Sequence, residues 1–231
     1  MTRDDIGTDS KIIINGPGHD SRSHKNTQAP QRRMAFFTRE RTDTFLYCAA
    51  LLIWLAFLIH IIGRGDEWIY DSLLTLALIA SFYACRNTLH LKGPVLALAL
   101  FTALLHNAGG LGLYGTTFIL PFDHYMHFMA GLTVSIAISN TLSRRSSNLT
   151  PAFQTLLVIF ATLGLGAAEE IVEFIFYSQG FVGEGLFFLG TGDYDPNLTN
   201  SEWANLSKDL LMDLLGGIAG ALGYALARRR R

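Results

Sequence analysis

The stretch FDHYMHFMAGLTVSIAISNTL, from Phe122 to Leu142, decides what kind of molecule this chain forms. It is long enough to cross a bilayer, because about 20 apolar residues in a helix cover the hydrocarbon core. Yet Asp123, His124 and His127 stand within about one helical turn of one another at its start. Ionisable groups at membrane depth are costly, so they mark a pathway or a site unless they serve as structural glue. What the neighbouring stretches bring to the same depth decides between these.

Five more apolar runs flank it: Phe45–Ile62, Ile69–Cys85, Pro94–Leu113, Ala152–Tyr177 and Leu206–Ala227. Together they predict an all-α protein, a polytopic membrane helix bundle with six transmembrane helices. The second run is near the lower length limit, and tilt absorbs the excess of the long fifth one. Residues 1–43 are polar, without period, and too poor in apolar groups to offset their ordering entropy; they are expected to form a disordered cytoplasmic tail. This tail has no apolar core before a cleavage site and is not read as a signal peptide. Residues 44–227 make the membrane domain and 228–231 a basic end. Cys48 and Cys85 lie inside apolar runs, which gives no disulfide framework or Cys-based metal motif; both read as packing residues.

Charge in the loops orients the bundle. Lys and Arg accumulate on the cytoplasmic side of spans. Arg32, Arg33, Arg39 and Arg41 precede the first span, Arg86 and Lys92 follow the second, Arg144 and Arg145 follow the fourth, and the chain ends in Arg228 to Arg231. The alternate loops carry few cations, Arg64 and Lys208 among them. Both termini are therefore expected in the cytoplasm. Nothing resembles a basic groove with stacking aromatics, which excludes a nucleic-acid partner in favour of membrane lipid.

That orientation sets depths. His127 lies roughly 6 Å below Asp123 at the outer mouth of the fourth span, and Asp209 and Asp213 roughly 5–10 Å below the mouth of the sixth. Glu169, Glu170 and Glu173 come near the outer end of the fifth span, His106 and Asn107 near that of the third, and His60 near that of the first. Positions three or four apart share a helix face, so Asp123 goes with His127, His124 with His127, Glu170 with Glu173 and Asp209 with Asp213. Glu169 and Glu170 are about 100° apart, which argues against both facing one centre. So many carboxylates cannot all ionise in a poorly solvated bundle: either several hold protons or a cation sits among them. Imidazole with carboxylate is a ligand set for Zn, Fe or Mn, and helix bundles build such sites from facing side chains. The candidate metal ligands are Asp123, His127, Glu170, Glu173, Asp209 and Asp213, with His106 and His124 as additional ones. One ion or two would serve. The plainer alternatives are hydrogen-bonded packing, assigned to His60, and acids that complement helix N-termini, for Asp123, Asp209 and Asp213.

Two features concern packing and access. Gly164, Gly166, Ala167 and Ala168 in the fifth run, and Gly216, Gly217, Gly220 and Gly223 in the sixth, let helix backbones approach closely. The outer loop 178–205, rich in Gly and aromatics, reads as a lid over the site or as an interfacial anchor.

The chain resembles the YjdF-type bacterial inner-membrane proteins over roughly residues 101–224. The resemblance rests on Asp123-x-x-x-His127-Phe128 with Gly131, on Glu170-Ile171-Val172-Glu173-Phe174, on Phe188-Leu189-Gly190-Thr191-Gly192-Asp193, and on Asp209-Leu210-Leu211-Met212-Asp213 followed by Gly216. It implies a multi-span protein of the bacterial inner membrane, and favours Glu170 over Glu169 and His127 over His124 in the site. The long polar N-terminus departs from the short start of that family, whose biochemical role is not established.

Three functions fit the residues. The first is a membrane-embedded metalloenzyme, a hydrolase or transferase on an amphiphilic substrate, with Glu170 and Glu173 sharing ligand and base roles. The second is a cation or proton-coupled transporter, which needs a polar path inward where only Ser135, Ser139 and Thr162 are available. The third is a non-catalytic membrane factor that binds a partner or lipid.

Overall fold

A computed structural model describes residues 28–65, 68–145, 148–178 and 202–229. Residues Met1–Thr38 form one unit and Arg39–Arg231 a second. The described residues are helical: α1 (Gln28–Arg64), α2 (Ile69–Cys85), α3 (Pro94–Ala108), α4 (Phe122–Arg145), α5 (Pro151–Ser178) and α6 (Glu202–Arg229). The six apolar runs of the sequence thus each become one helix. α1 starts at Gln28, inside the stretch expected to be tail, because Gln28, Ala29, Gln31, Arg32, Arg33, Met34 and Ala35 favour helix and extend one already formed. The rest of that tail, residues 1–27, and most of the loop read as a lid lie outside the described residues.

Pro94 opens α3 at a position where its missing N–H costs nothing. At the other end a π-helical turn, Gly109–Leu113, continues α3, and Gly112 takes φ 114°, a conformation open mainly to glycine. Among the described residues, four segments are long and apolar enough to cross a membrane: Glu40–Arg64, Pro94–Leu113, Pro151–Ile175 and Leu206–Arg229. α2 is apolar but only 17 residues long. α4 has the length, 24 residues, but buries Asp123, His124, His127, Ser135, Ser139 and Asn140.

The molecule is apolar outside and partly polar inside, as lipid solvent requires. Leu52, Ile59, Phe160, Leu165 and Leu222 are exposed, while Asn107, Ser135, Glu170, Asp209 and Asp213 are buried. Cys48 and Cys85 are free and exposed on the bundle's surface, not in its packing. The α1–α3 half is held by an apolar cluster of Tyr47, Ala50, Trp54, Ile79, Leu91, Leu96, Leu100 and Ala103.

The α4–α6 half is held differently. A Cβ at Gly216 would strike the Phe128 carbonyl, one at Gly220 the Ser135 hydroxyl and Leu132 carbonyl, and one at Gly131 the Asp213 backbone. A Cβ at Gly217 would press on Thr162, and one at Gly166 on the Asp213 carboxylate, so α5 also reaches α6 through missing side chains. A Cβ at Gly164 or Gly223 would meet nothing within 4 Å among the described residues, so the expectation of close packing holds for part of each glycine set. Asp123, His127, Gly131, Ser135 and Ser139 recur every fourth residue and are all buried, forming one ridge that winds along α4. The ridge that brings α6 close is thus the ridge that carries Asp123 and His127.

Candidate metal centre

The site is built at the start of α4, late in α5 and early in α6. His127 is its hub. Its Nδ1 lies 3.5 Å from Asp213 Oδ2, 3.6 Å from Glu170 Oε1 and 3.9 Å from Glu169 Oε2. Its Nε2 lies 3.6 Å from Asp123 Oδ1 and 3.9 Å from Asp209 Oδ1. His124 Nδ1 lies 3.1 Å from Asp209 Oδ1 and 3.7 Å from Asp123 Oδ2. Two sets of ligand atoms therefore gather within 4.8 Å of one another: His127, Glu169, Glu170 and Asp213, and Asp123, His127 and Asp209. Either can hold a metal ion.

Closeness without bonding is the telling feature. Asp123 Oδ2, His124 Nδ1, Glu170 Oε1, Asp209 Oδ1 and Asp213 Oδ2 are buried and have no hydrogen-bond partner among the described residues. Buried polar atoms are nearly always paired, because an unmade bond costs about 1–3 kcal/mol each. Here the missing bonds share one place, and every lone pair there belongs to an oxygen or imidazole nitrogen, the donor set of Zn, Fe or Mn.

Of the residues named from the sequence, Asp123, His124, His127, Glu170, Asp209 and Asp213 come together. Glu173 follows on the same helix but belongs to neither set. Glu169 enters against expectation. The angle between Glu169 and Glu170 is a property of their Cα–Cβ bonds, and each Glu side chain is long enough to bend back to a ring lying between them; Glu169 stays more exposed, at 33% against 5% for the Glu170 side chain. His60 is exposed and stands apart.

His106 also goes elsewhere. Its Nδ1 shares a 2.6 Å hydrogen bond with the Tyr114 hydroxyl, and its Nε2 lies 3.7 Å from Asp71 Oδ1. Trp68 stacks on Tyr114 at 5.5 Å, and Trp54 Nε1 donates to the Ser72 carbonyl at 2.6 Å. Asn107 is fully buried in α3 beside His106. This α2–α3 cluster escaped the sequence reading, although Asp71 inside an apolar run was the same signal that singled out Asp123. Tyr114 meets Phe122 edge to face at 5.3 Å, which ties the cluster to the first residue of α4.

The chain belongs to a family described as a predicted membrane protein, DUF2238, whose model matches residues 43–230. The match is in keeping with the YjdF-type resemblance and covers every helix that supplies the site. Nothing among curated proteins or solved structures matches the chain.

Proposed function

We propose that the protein is a membrane-embedded metalloenzyme whose divalent-cation centre, at the joint mouth of α4, α5 and α6, serves hydrolysis or group transfer on an amphiphilic substrate. One observation carries this reading: buried oxygens and imidazole nitrogens from three helices converge around His127, and Glu170 Oε1 and Asp213 Oδ2 among them have no hydrogen-bond partner among the described residues. A divalent Zn, Fe or Mn ion would supply Lewis acidity there. Asp123, His127, Glu169, Glu170, Asp209 and Asp213 would hold the metal, and His124 would steady Asp209 from the side. Glu173, outside both ligand sets, is free to take and return the proton of the attacking group.

Access from lipid supports the substrate class. The turn between α3 and α4, just before Asp123, carries Phe118 and Ile119 with 66% and 91% of their surface exposed. Apolar side chains so displayed beside a polar site suit a substrate with an acyl or prenyl tail. A transport path is less well supported, because directly below the site Gly131, Gly216 and Gly220 close the α4–α6 seam to backbone contact. Placement in the bacterial inner membrane with both termini inside is supported by charge: Arg144, Arg145 and Arg228 lie at the helix ends opposite the site.

The test is the metal content of detergent-purified full-length protein beside His127→Ala and Glu170→Ala. Bound metal in the wild type, lost in both variants while helical content and monodispersity persist, is the expected result. Hydrolysis of chromogenic acyl and phosphoryl amphiphiles in mixed micelles should follow the same pattern. Protein that carries no metal and takes up no Zn²⁺ contradicts the reading.

A further inference from the structure

The two nitrogens of His127 do not look at the same carboxylates. Nδ1 faces Asp213, Glu170 and Glu169 at 3.5, 3.6 and 3.9 Å. Nε2 faces Asp123 and Asp209 at 3.6 and 3.9 Å. Lone pairs on the two nitrogens of one imidazole diverge, so a single ion cannot accept both. Ligands about 2.1 Å from a tetrahedral ion are about 3.4 Å apart, and the distances of 3.5–3.9 Å from the ring nitrogens to these carboxylates lie within a few tenths of an ångström of that.

Each set also carries its own unpartnered atoms, among the described residues. On the Nδ1 side these are Glu170 Oε1 and Asp213 Oδ2, both residues 4% exposed. On the Nε2 side it is Asp209 Oδ1, its residue 1% exposed, which lies 3.9 Å from His127 Nε2 and 3.1 Å from His124 Nδ1. One cation would answer one set and leave the other orphaned. Charge agrees: the sets hold five carboxylates, Asp123, Glu169, Glu170, Asp209 and Asp213, against which one divalent ion leaves three charges unmatched, and two leave two once the bridging imidazole has given up its proton.

We infer that the centre is dinuclear, with one divalent cation on each side of His127 and the imidazole bridging them. This rests on the metal-centre reading above. The Nδ1 cation takes Glu169, Glu170 and Asp213 from α5 and α6; the Nε2 cation takes Asp123 and Asp209, with His124 within reach. In bridging, His127 coordinates through both nitrogens and releases its remaining ring proton to solvent. Two bonds of about 2.1 Å across the ring hold the ions about 6 Å apart. That is wider than the ~3.5–4 Å of metal pairs that clamp one displacement between them. The two positions therefore have separate duties, one beside the base-bearing helix α5 and one at the mouth of α4.

The test strips full-length protein with a chelator, reloads it with Zn²⁺ alone, and counts tightly held zinc per chain in wild type, Glu170→Gln and Asp209→Asn. The replacements keep side-chain size, and circular dichroism checks that all three are folded. Two zinc per wild-type chain, falling to one in each variant, is the expected result. One zinc in the wild type and none in either variant overturns the pair while leaving a mononuclear centre standing. Two zinc retained in both variants assigns them to other groups and overturns it as well. No zinc in the wild type removes the pair together with the reading it rests on.

Discussion

α4 has polar residues at both ends, and the two ends treat them in opposite ways. At the Arg144 end, Asn140 Nδ2 donates to the His90 carbonyl at 2.8 Å, and its Oδ1 accepts from Arg144 Nε at 3.2 Å and the Tyr224 hydroxyl at 3.3 Å. Gln154 donates to Ser143 Oγ at 2.6 Å, and Thr141 to the Leu89 carbonyl at 2.7 Å. At the Asp123 end, polar atoms lie 3.1–3.9 Å apart, and five of them have no hydrogen-bond partner among the described residues. The first end contains donors and acceptors in matched numbers, whereas the second is nearly all acceptors. A set of acceptors has no solution within itself, and on the metal-centre proposal a cation completes it. One end fastens the helices, and the other is the candidate metal centre.

The sharpest way to break this contrast is at the seam joining the two ends. Gly216→Val puts branched carbon into the Phe128 carbonyl, with backbone on the far side and nothing able to yield. We expect a loss of about 3 kcal/mol or more, together with metal binding, because α6 can no longer bring Asp213 to His127. Loss of binding with unchanged thermal stability would contradict the packing account. Next comes His127→Ala, which should weaken metal affinity by at least about 100-fold and leave the stripped protein folded, as calorimetry and equilibrium dialysis would show.

The two ends should then separate cleanly under conservative changes. Asn140→Ala removes one partner from a satisfied network and is expected to cost about 1–2 kcal/mol in unfolding while leaving metal affinity unaltered. Asp209→Asn should do the reverse: metal affinity falls by about 10- to 100-fold, and the stripped protein gains stability as a buried like charge disappears. If both substitutions lower stability alike, the ends do not differ in kind. The smallest effect belongs to His60→Ala, within about 0.5 kcal/mol and without change in metal content, since that ring is exposed on the outer face of α1.

Helices and most residues of the candidate site were legible in the chain because both follow from one-dimensional rules. Apolar run length marks a helix in lipid, and an acid or imidazole inside such a run is too costly to be idle, which singled out Asp123, His127, Glu170 and Asp209. Depth along the helix axis then brought them to one level. What remained hidden depended on side-chain reach and on partners distant in sequence. Glu169 joins by bending its side chain toward His127, which a helical wheel cannot register. His106 was drawn to the site by its depth but is held by Tyr114 and Asp71, the latter an acid in the first turn of α2. The divided attention of His127 is a matter of ring orientation, invisible before three helices are packed. The glycines were read correctly as small, but which of them touch backbone depends on the α4 ridge they face.

The most direct measurement follows thermal unfolding of chelator-stripped protein as Zn²⁺ is added, in wild type and in His127→Ala. A ligand that binds only the folded state stabilises it by about 4 kcal/mol at a thousandfold excess over Kd. The account predicts a steep, saturable rise in the wild-type midpoint and a flat response in the variant. An equal rise in both, or none in either, would mean that the acids and imidazoles at this mouth do not gather around a cation.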